Sequence, residues 1–86
     1  MSKPVQVRNY AALHVGDKAL AHDVLRLCQS VDPHDAGRAI DTVARFLCVS
    51  PWTVYRWLRG LAEPKGLILR TLRGHVAALP SDAAAA

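Results

Sequence analysis

At 86 residues the chain makes one domain, near the lower end of what folds without a metal or a disulfide. With 51% hydrophobic, 21% charged and 6% aromatic residues, it suits a bundle of Leu-, Val- and Ala-rich helices and is too small to frame a long enzyme cleft. The formal net charge is +4, and no apolar run approaches the length of a membrane span.

The position of the charge says more than its total. From Met1 to Asp41 five Lys/Arg face five Asp, whereas from Thr42 to Ser81 six basic residues (Arg45, Arg56, Arg59, Lys65, Arg70, Arg73) stand with one acid, Glu63. A surface that meets phosphates needs such an asymmetry; a solvated charged face accounts for it without a ligand. Cys28 and Cys48 follow no basic, long-apolar, small-residue leader, so both read as reduced, buried thiols of a cytoplasmic protein.

The expected partition is an N-terminal arm over residues 1–16, a DNA-binding domain over 17–80 and a flexible tail over 81–86. In the arm, Val5 and Val7 alternate with Gln6 and Arg8 as in a short strand, while NYAALHVG reads equally as helical turns stopped by Gly16. Such an arm either carries Lys3 and Arg8 to DNA or packs on a partner subunit. Asp17 is the expected N-cap of a first helix, on which Leu20, Val24, Leu27, Cys28 and Val31 share one side, with Lys18, His22, Arg26 and Gln29 opposite. A second helix start reads at Asp32-Pro33-His34-Asp35, with Asp32 as N-cap and proline at the first helical position. Ala36, Ile40, Val43, Ala44 and Leu47 then form the apolar stripe, and Arg38, Asp41, Thr42 and Arg45 the wet side.

Ser50-Pro51 opens a third helix after only Cys48, Val49 and Ser50, so two helices meet at a sharp turn, the layout of a helix-turn-helix. The stretch GLAEPKG, Gly60 to Gly66, punctuates the next connection. A last helix over Leu67–Leu79 carries Ile68, Leu69, Leu72, Val76 and Leu79 on one stripe, and Pro80 ends it. Its other face holds Leu67, Thr71, Gly74 and Ala78. A mid-helix glycine costs about 1 kcal/mol relative to alanine, which close approach of another backbone offsets; this is the expected dimer face, against the plainer reading of a tolerated surface glycine. The whole is an all-α bundle of about four to five helices containing a helix-turn-helix, with an N-terminal arm.

Within VSPWTVYRWLRG, at about 100° per residue, Val54, Trp57, Leu58 and Leu61 fall on one core-facing stripe. Trp52, Tyr55, Arg56 and Arg59 lie on the opposite arc, with Thr53 at its margin. That arc carries two guanidinium groups, a phenol and an indole, and no acid. The major groove admits one helix, where arginine donates bidentately to guanine and apolar surface meets the thymine methyl; arginine and tyrosine also bind phosphate oxygens, and the helix start behind Ser50 offers N–H groups to an anion. The reading therefore sets Trp52, Tyr55 and Arg56 near base edges and Ser50 and Arg59 on the backbone, with Thr53, Arg38, Arg45 and Lys65 completing the DNA-binding set. The plainer readings are that Trp52 covers the first or last helix or meets a partner subunit, and that the arginines are merely solvated.

The residues Ala44, Val49, Ser50, Val54 and Trp57, followed by Gly60 and Pro64, resemble the Cro/C1-type (XRE) helix-turn-helix repressors. The run WLRGLAEPKGLILRTL is similar to the Trp, Gly, Pro, Gly and Leu sequence that follows the recognition helix in many phage repressors and antitoxin-type regulators. The resemblance covers about residues 18–79. It implies a two-fold dimer on operator DNA with an inverted repeat, repression of the protein's own operon and no cofactor. The chain departs from the family at Cys48, where glycine is usual: a left-handed backbone there strains a non-glycine residue by roughly 1 kcal/mol or more, so the turn either takes another conformation or tolerates the strain.

Rival chemistry has less behind it. His14, His22, His34 and His75 with the two cysteines show no close pair of zinc-ligand spacing, and neither a phosphate-binding loop nor a nucleophile motif occurs; no metal site and no enzyme activity are expected. The alternative function is a small protein-binding module, a phage-type inhibitor or an antitoxin, that grips its protein partner through the Trp52/Tyr55 face.

Overall fold

The computed structural model describes residues 7–79. A 3-10 turn at Tyr10–Ala12 precedes four helices, α1 (Ala19–Val31), α2 (Ala36–Leu47), α3 (Pro51–Leu58) and α4 (Gly66–Ala77), and no strand occurs among the described residues. The fold is all-helical. Lys3, Val5, Pro80 and the expected tail lie outside the described residues; Val7 is half-buried against the core and in no strand.

Helix α1 packs against α2, α3 and α4, and α2 packs against α3 and α4. Val24 and Cys28 from α1, Ile40 and Val43 from α2, Val54 and Leu58 from α3, and Leu72 from α4 are the fully buried side chains at the centre. Each of the aliphatic ones contributes on the order of 1.5–3 kcal/mol by leaving water. The α2 stripe is buried at every expected position, Ala36, Ile40, Val43, Ala44 and Leu47. On α4 only Leu72 is fully buried; Ile68 and Val76 pack against the core from its edge.

Two helix starts differ from expectation. The N-cap of α1 is Lys18, with no side-chain cap bond, not Asp17. Gly16 sets this: its N–H donates to the Leu58 carbonyl at 2.8 Å, and a Cβ on it would stand 3.0 Å from the Arg59 carbonyl oxygen and the Gly60 backbone. Helix α1 therefore begins only after Lys18, whose Nζ pairs with Glu63 Oε1 at 3.1 Å and ties α1 to the α3–α4 loop.

The N-cap of α2 is Asp35, which accepts from the Arg38 N–H at 3.1 Å, not Asp32. Asp32 ends α1 and builds the corner, its Oδ1 accepting from the N–H groups of His34 at 3.0 Å and Asp35 at 2.9 Å. Those backbone donors hold its carboxyl below the usual carboxylate range. Pro33 consequently sits in the corner rather than at the first helical position.

The described part of the N-terminal segment packs onto the domain. Leu13 enters the core at 8% exposure, Tyr10 Oη donates to the Asp32 carbonyl at 2.6 Å, and the Arg8 carbonyl accepts the Ala36 N–H at 2.9 Å. That last bond satisfies a donor that the first turn of α2 leaves unpaired.

Candidate nucleic-acid interface

The turn between α2 and α3 keeps the left-handed conformation that the cysteine makes unfavourable. Cys48 has φ 55° and ψ 42°; its N–H donates to the Arg45 carbonyl at 3.3 Å and the Val49 N–H to the Ala44 carbonyl at 3.0 Å. The pair of bonds closes α2 as a Schellman motif. The Cys48 side chain is exposed, not buried as the sequence suggested, while Cys28 is buried and its thiol is pushed up to about 12 by desolvation.

Serine and proline start α3 as expected. Ser50 Oγ accepts from the Thr53 N–H at 3.2 Å and lies 2.9 Å from the Thr53 hydroxyl, and Pro51 occupies the first turn. The helix ends in a second Schellman motif: Gly60, at φ 73°, donates to the Trp57 carbonyl at 3.1 Å and Leu61 to the Arg56 carbonyl at 2.9 Å. Leu61 therefore leaves the helical path and is 65% exposed, a correction to its placement on the core stripe.

Between these two turns α3 divides into opposite faces. Val54 and Leu58 are fully buried, and Trp57 is 4% exposed against 39% for Trp52. On the outer face the Trp52 and Tyr55 rings meet edge to face with centroids 5.5 Å apart. Arg59 Nη1 donates to Tyr55 Oη at 3.2 Å, and its guanidinium carbon lies 5.8 Å from the Tyr55 ring centroid. Tyr55 is half-buried with its ring against the core, so it serves as a platform on which Arg59 is held. Arg56 is exposed one position further round.

The structure thus joins Ser50 with Thr53, and Trp52 with Tyr55 and Arg59. The other expected contacts are dispersed. Arg45 pairs with Asp41 at 3.1 Å along α2, which lowers its net charge toward a ligand; Arg38 is exposed in the first turn of α2 and Lys65 at the start of α4. The expected dimer-face residues Leu67, Thr71, Gly74 and Ala78 are all exposed along α4.

One surface feature was missed in the sequence. Phe46 is 58% exposed and Leu67 74%, and between α2 and α4 lies a groove of about 350 Å³ lined by Phe46, Leu47, Cys48, Leu67, Ile68 and Thr71. The Phe46 ring stacks on His75 at 5.9 Å. The signal was present: Phe46 falls outside the Ile40–Val43–Leu47 stripe, as a large apolar residue on the wet side of an amphipathic helix.

Taken together, the fold and this face describe a helical domain in which a short, rigidly bounded helix presents an acid-free aromatic and arginine surface. No protein-family model, curated protein or solved structure matches the chain.

Proposed function

We propose that the protein is a cytoplasmic, sequence-specific DNA-binding regulator of the helix-turn-helix type, dimeric on an inverted repeat, that represses its own operon by occupying promoter DNA without a cofactor. The observation that carries this reading is the outer face of α3 and its C-cap: Trp52, Arg56 and Arg59, the last held on the half-buried Tyr55, on a helix anchored behind by Val54, Trp57 and Leu58. Such a helix enters the major groove as a rigid body. Arg56 is exposed for base edges, Trp52 supplies apolar surface for thymine methyls, and Arg59, braced on Tyr55, suits a phosphate.

Footprinting the protein on the DNA upstream of its own gene tests the reading. A protected inverted repeat is expected, and affinity should fall about a thousandfold or more between 50 and 200 mM salt for a dimer that contacts on the order of six to eight phosphates. No protection, together with salt-insensitive capture of a protein partner, would move the assignment to the protein-binding module. Trp52 and Leu61, exposed large apolar side chains at the two ends of α3, are the observation that favours that second reading.

A further inference from the structure

Confined to the residues Pro51–Leu58, α3 offers few side chains to base edges, and their kinds restrict what they can read. Tyr55 is half-buried with its ring against the core, Arg59 is tied to the Tyr55 hydroxyl at 3.2 Å, and the Thr53 hydroxyl is engaged by Ser50 at 2.9 Å. Trp52, 39% exposed, and the exposed Arg56 stand one helical turn apart on the same face. We infer that Trp52 reads the C5-methyl group of a pyrimidine close to the guanine read by Arg56, so that 5-methylcytosine is accepted in place of thymine and binding at a C·G pair depends on cytosine methylation. The inference rests on the DNA-binding reading and adds to it the content of the half-site and a chemical modification that regulates it.

The indole is a held surface. Its ring meets that of Tyr55 edge to face with centroids 5.5 Å apart, and Tyr55 is itself fixed on the core. On the major-groove edge of the four ordinary base pairs the apolar group is the thymine methyl; a cytosine methylated at C5 carries the same group at the same ring position. Helix α3 also contains no carboxylate, the group that accepts a hydrogen bond from cytosine N4. An unmodified cytosine opposite Trp52 thus brings neither a methyl for the indole nor a donor that this helix matches with an acid, and methylation decides the contact. Spacing then locates the base. Residues four apart stand about 6 Å apart along a helix axis, and base pairs follow at about 3.4 Å. With α3 lying along the groove, the methyl-bearing pyrimidine falls one or two base pairs from the guanine.

Fluorescence anisotropy with synthetic duplexes tests this, using the footprinted operator or the sequence that the full chain selects from a random duplex pool. Exchanging a half-site thymine for deoxyuridine removes the C5 methyl and nothing else. At the position that Trp52 meets, the exchange should weaken binding about fourfold, the worth of one buried carbon group, and about sixteenfold when made in both half-sites. A C·G pair in the same place should weaken binding at least as far, and 5-methylcytosine there should restore about fourfold per half-site. Trp52→Ala should bind thymine and deoxyuridine duplexes alike, whereas Arg56→Ala should keep the methyl preference and lose the preference for the nearby guanine. Equal affinity for thymine and deoxyuridine at every half-site position, 5-methylcytosine bound no better than cytosine, or a methyl preference that survives Trp52→Ala would overturn the inference and leave the DNA reading intact. A protein that prefers no duplex over competitor DNA would overturn both.

Discussion

Replacing Cys48 by glycine should stabilise the domain, and the size of the gain follows from the turn. Cys48 holds φ 55° and ψ 42° with an exposed side chain. An L-residue in that region is strained by about 1–2 kcal/mol relative to glycine. Against this, glycine adds backbone freedom to the unfolded chain, worth about 0.4–1 kcal/mol. The Schellman hydrogen bonds are made by backbone alone and persist. The net expectation for Cys48→Gly is a gain of about 0.5–1 kcal/mol. For a domain of this size that raises Tm by about 2–8 °C. Cys48→Val should move the other way by at least a similar amount, because a β-branched side chain fits the left-handed region worse than cysteine does. Urea unfolding and calorimetry read both variants. A Cys48→Gly variant that is less stable than the wild type would refute the reasoning: either the thiol makes a favourable contact or the turn is not left-handed in solution.

The two tryptophans of α3 should separate cleanly by stability. Trp57→Ala removes a core side chain and should cost about 3–5 kcal/mol in chemical denaturation, close to the whole stability of a small domain, whereas Trp52→Ala should change it by less than about 1 kcal/mol and act on ligand binding instead. Arg56→Ala should weaken specific DNA binding by about 1–3 kcal/mol and relax preference at one base position; a gel shift showing unaltered affinity and preference removes Arg56 from base reading. Raising the pH should destabilise the fold through Cys28. Its thiol is pushed up to about 12 in the folded domain but ionises near about 8.5 when unfolded, so its contribution is complete below about pH 8.5. It is then lost with rising pH at up to about 1.4 kcal/mol per unit. Cys28→Ala should flatten the fall between pH 8.5 and 10, as read by urea midpoints; an identical slope in both proteins would show that the thiol is not buried. Above that window Tyr10, whose ionisation burial also raises, adds a fall of the same sign.

What could be read in the sequence, and what could not, divides by the range of the interactions responsible. The apolar stripe of α2 and the opposite faces of Trp52 and Trp57 follow from helical angles: Ala36, Ile40, Val43, Ala44, Leu47, Val54, Trp57 and Leu58 are buried as expected and Trp52 is exposed, whereas Tyr55, placed on the outer arc, is half-buried against the core. Ser50-Pro51 was legible because a cap acts within three residues. Asp32-Pro33-His34-Asp35 was not, since both aspartates satisfy the same local rule and the choice between them was made from outside. The Arg8 carbonyl reaches Ala36 N–H from 28 positions earlier in the chain, which fixes Ala36 as the first residue of the helix and leaves Asp35 as its cap. Leu61 failed for a related reason, because extrapolating the stripe past Leu58 ignored that Gly60 reverses the backbone. Leu13 and Gly16 carry no periodic pattern, so the entry of one into the core and the close fit of the other against the end of α3 had no signature to find.

The left-handed residues at Cys48 and Gly60 also define what α3 can do. Each ends a helix with two backbone hydrogen bonds, and together they confine α3 to the eight residues Pro51–Leu58. About two turns of helix expose a single short face, and three buried anchors, Val54, Trp57 and Leu58, fix its rotation. The set of outward side chains is therefore closed at both ends: Trp52 follows one turn, Arg59 precedes the other, and Tyr55 links them. A helix continued past Gly60 would draw Leu61 inward, onto the stripe that about 100° per residue assigns to it. The short one holds indole, phenol and guanidinium on one contiguous surface, and the strain kept at Cys48 is part of what sets its limits.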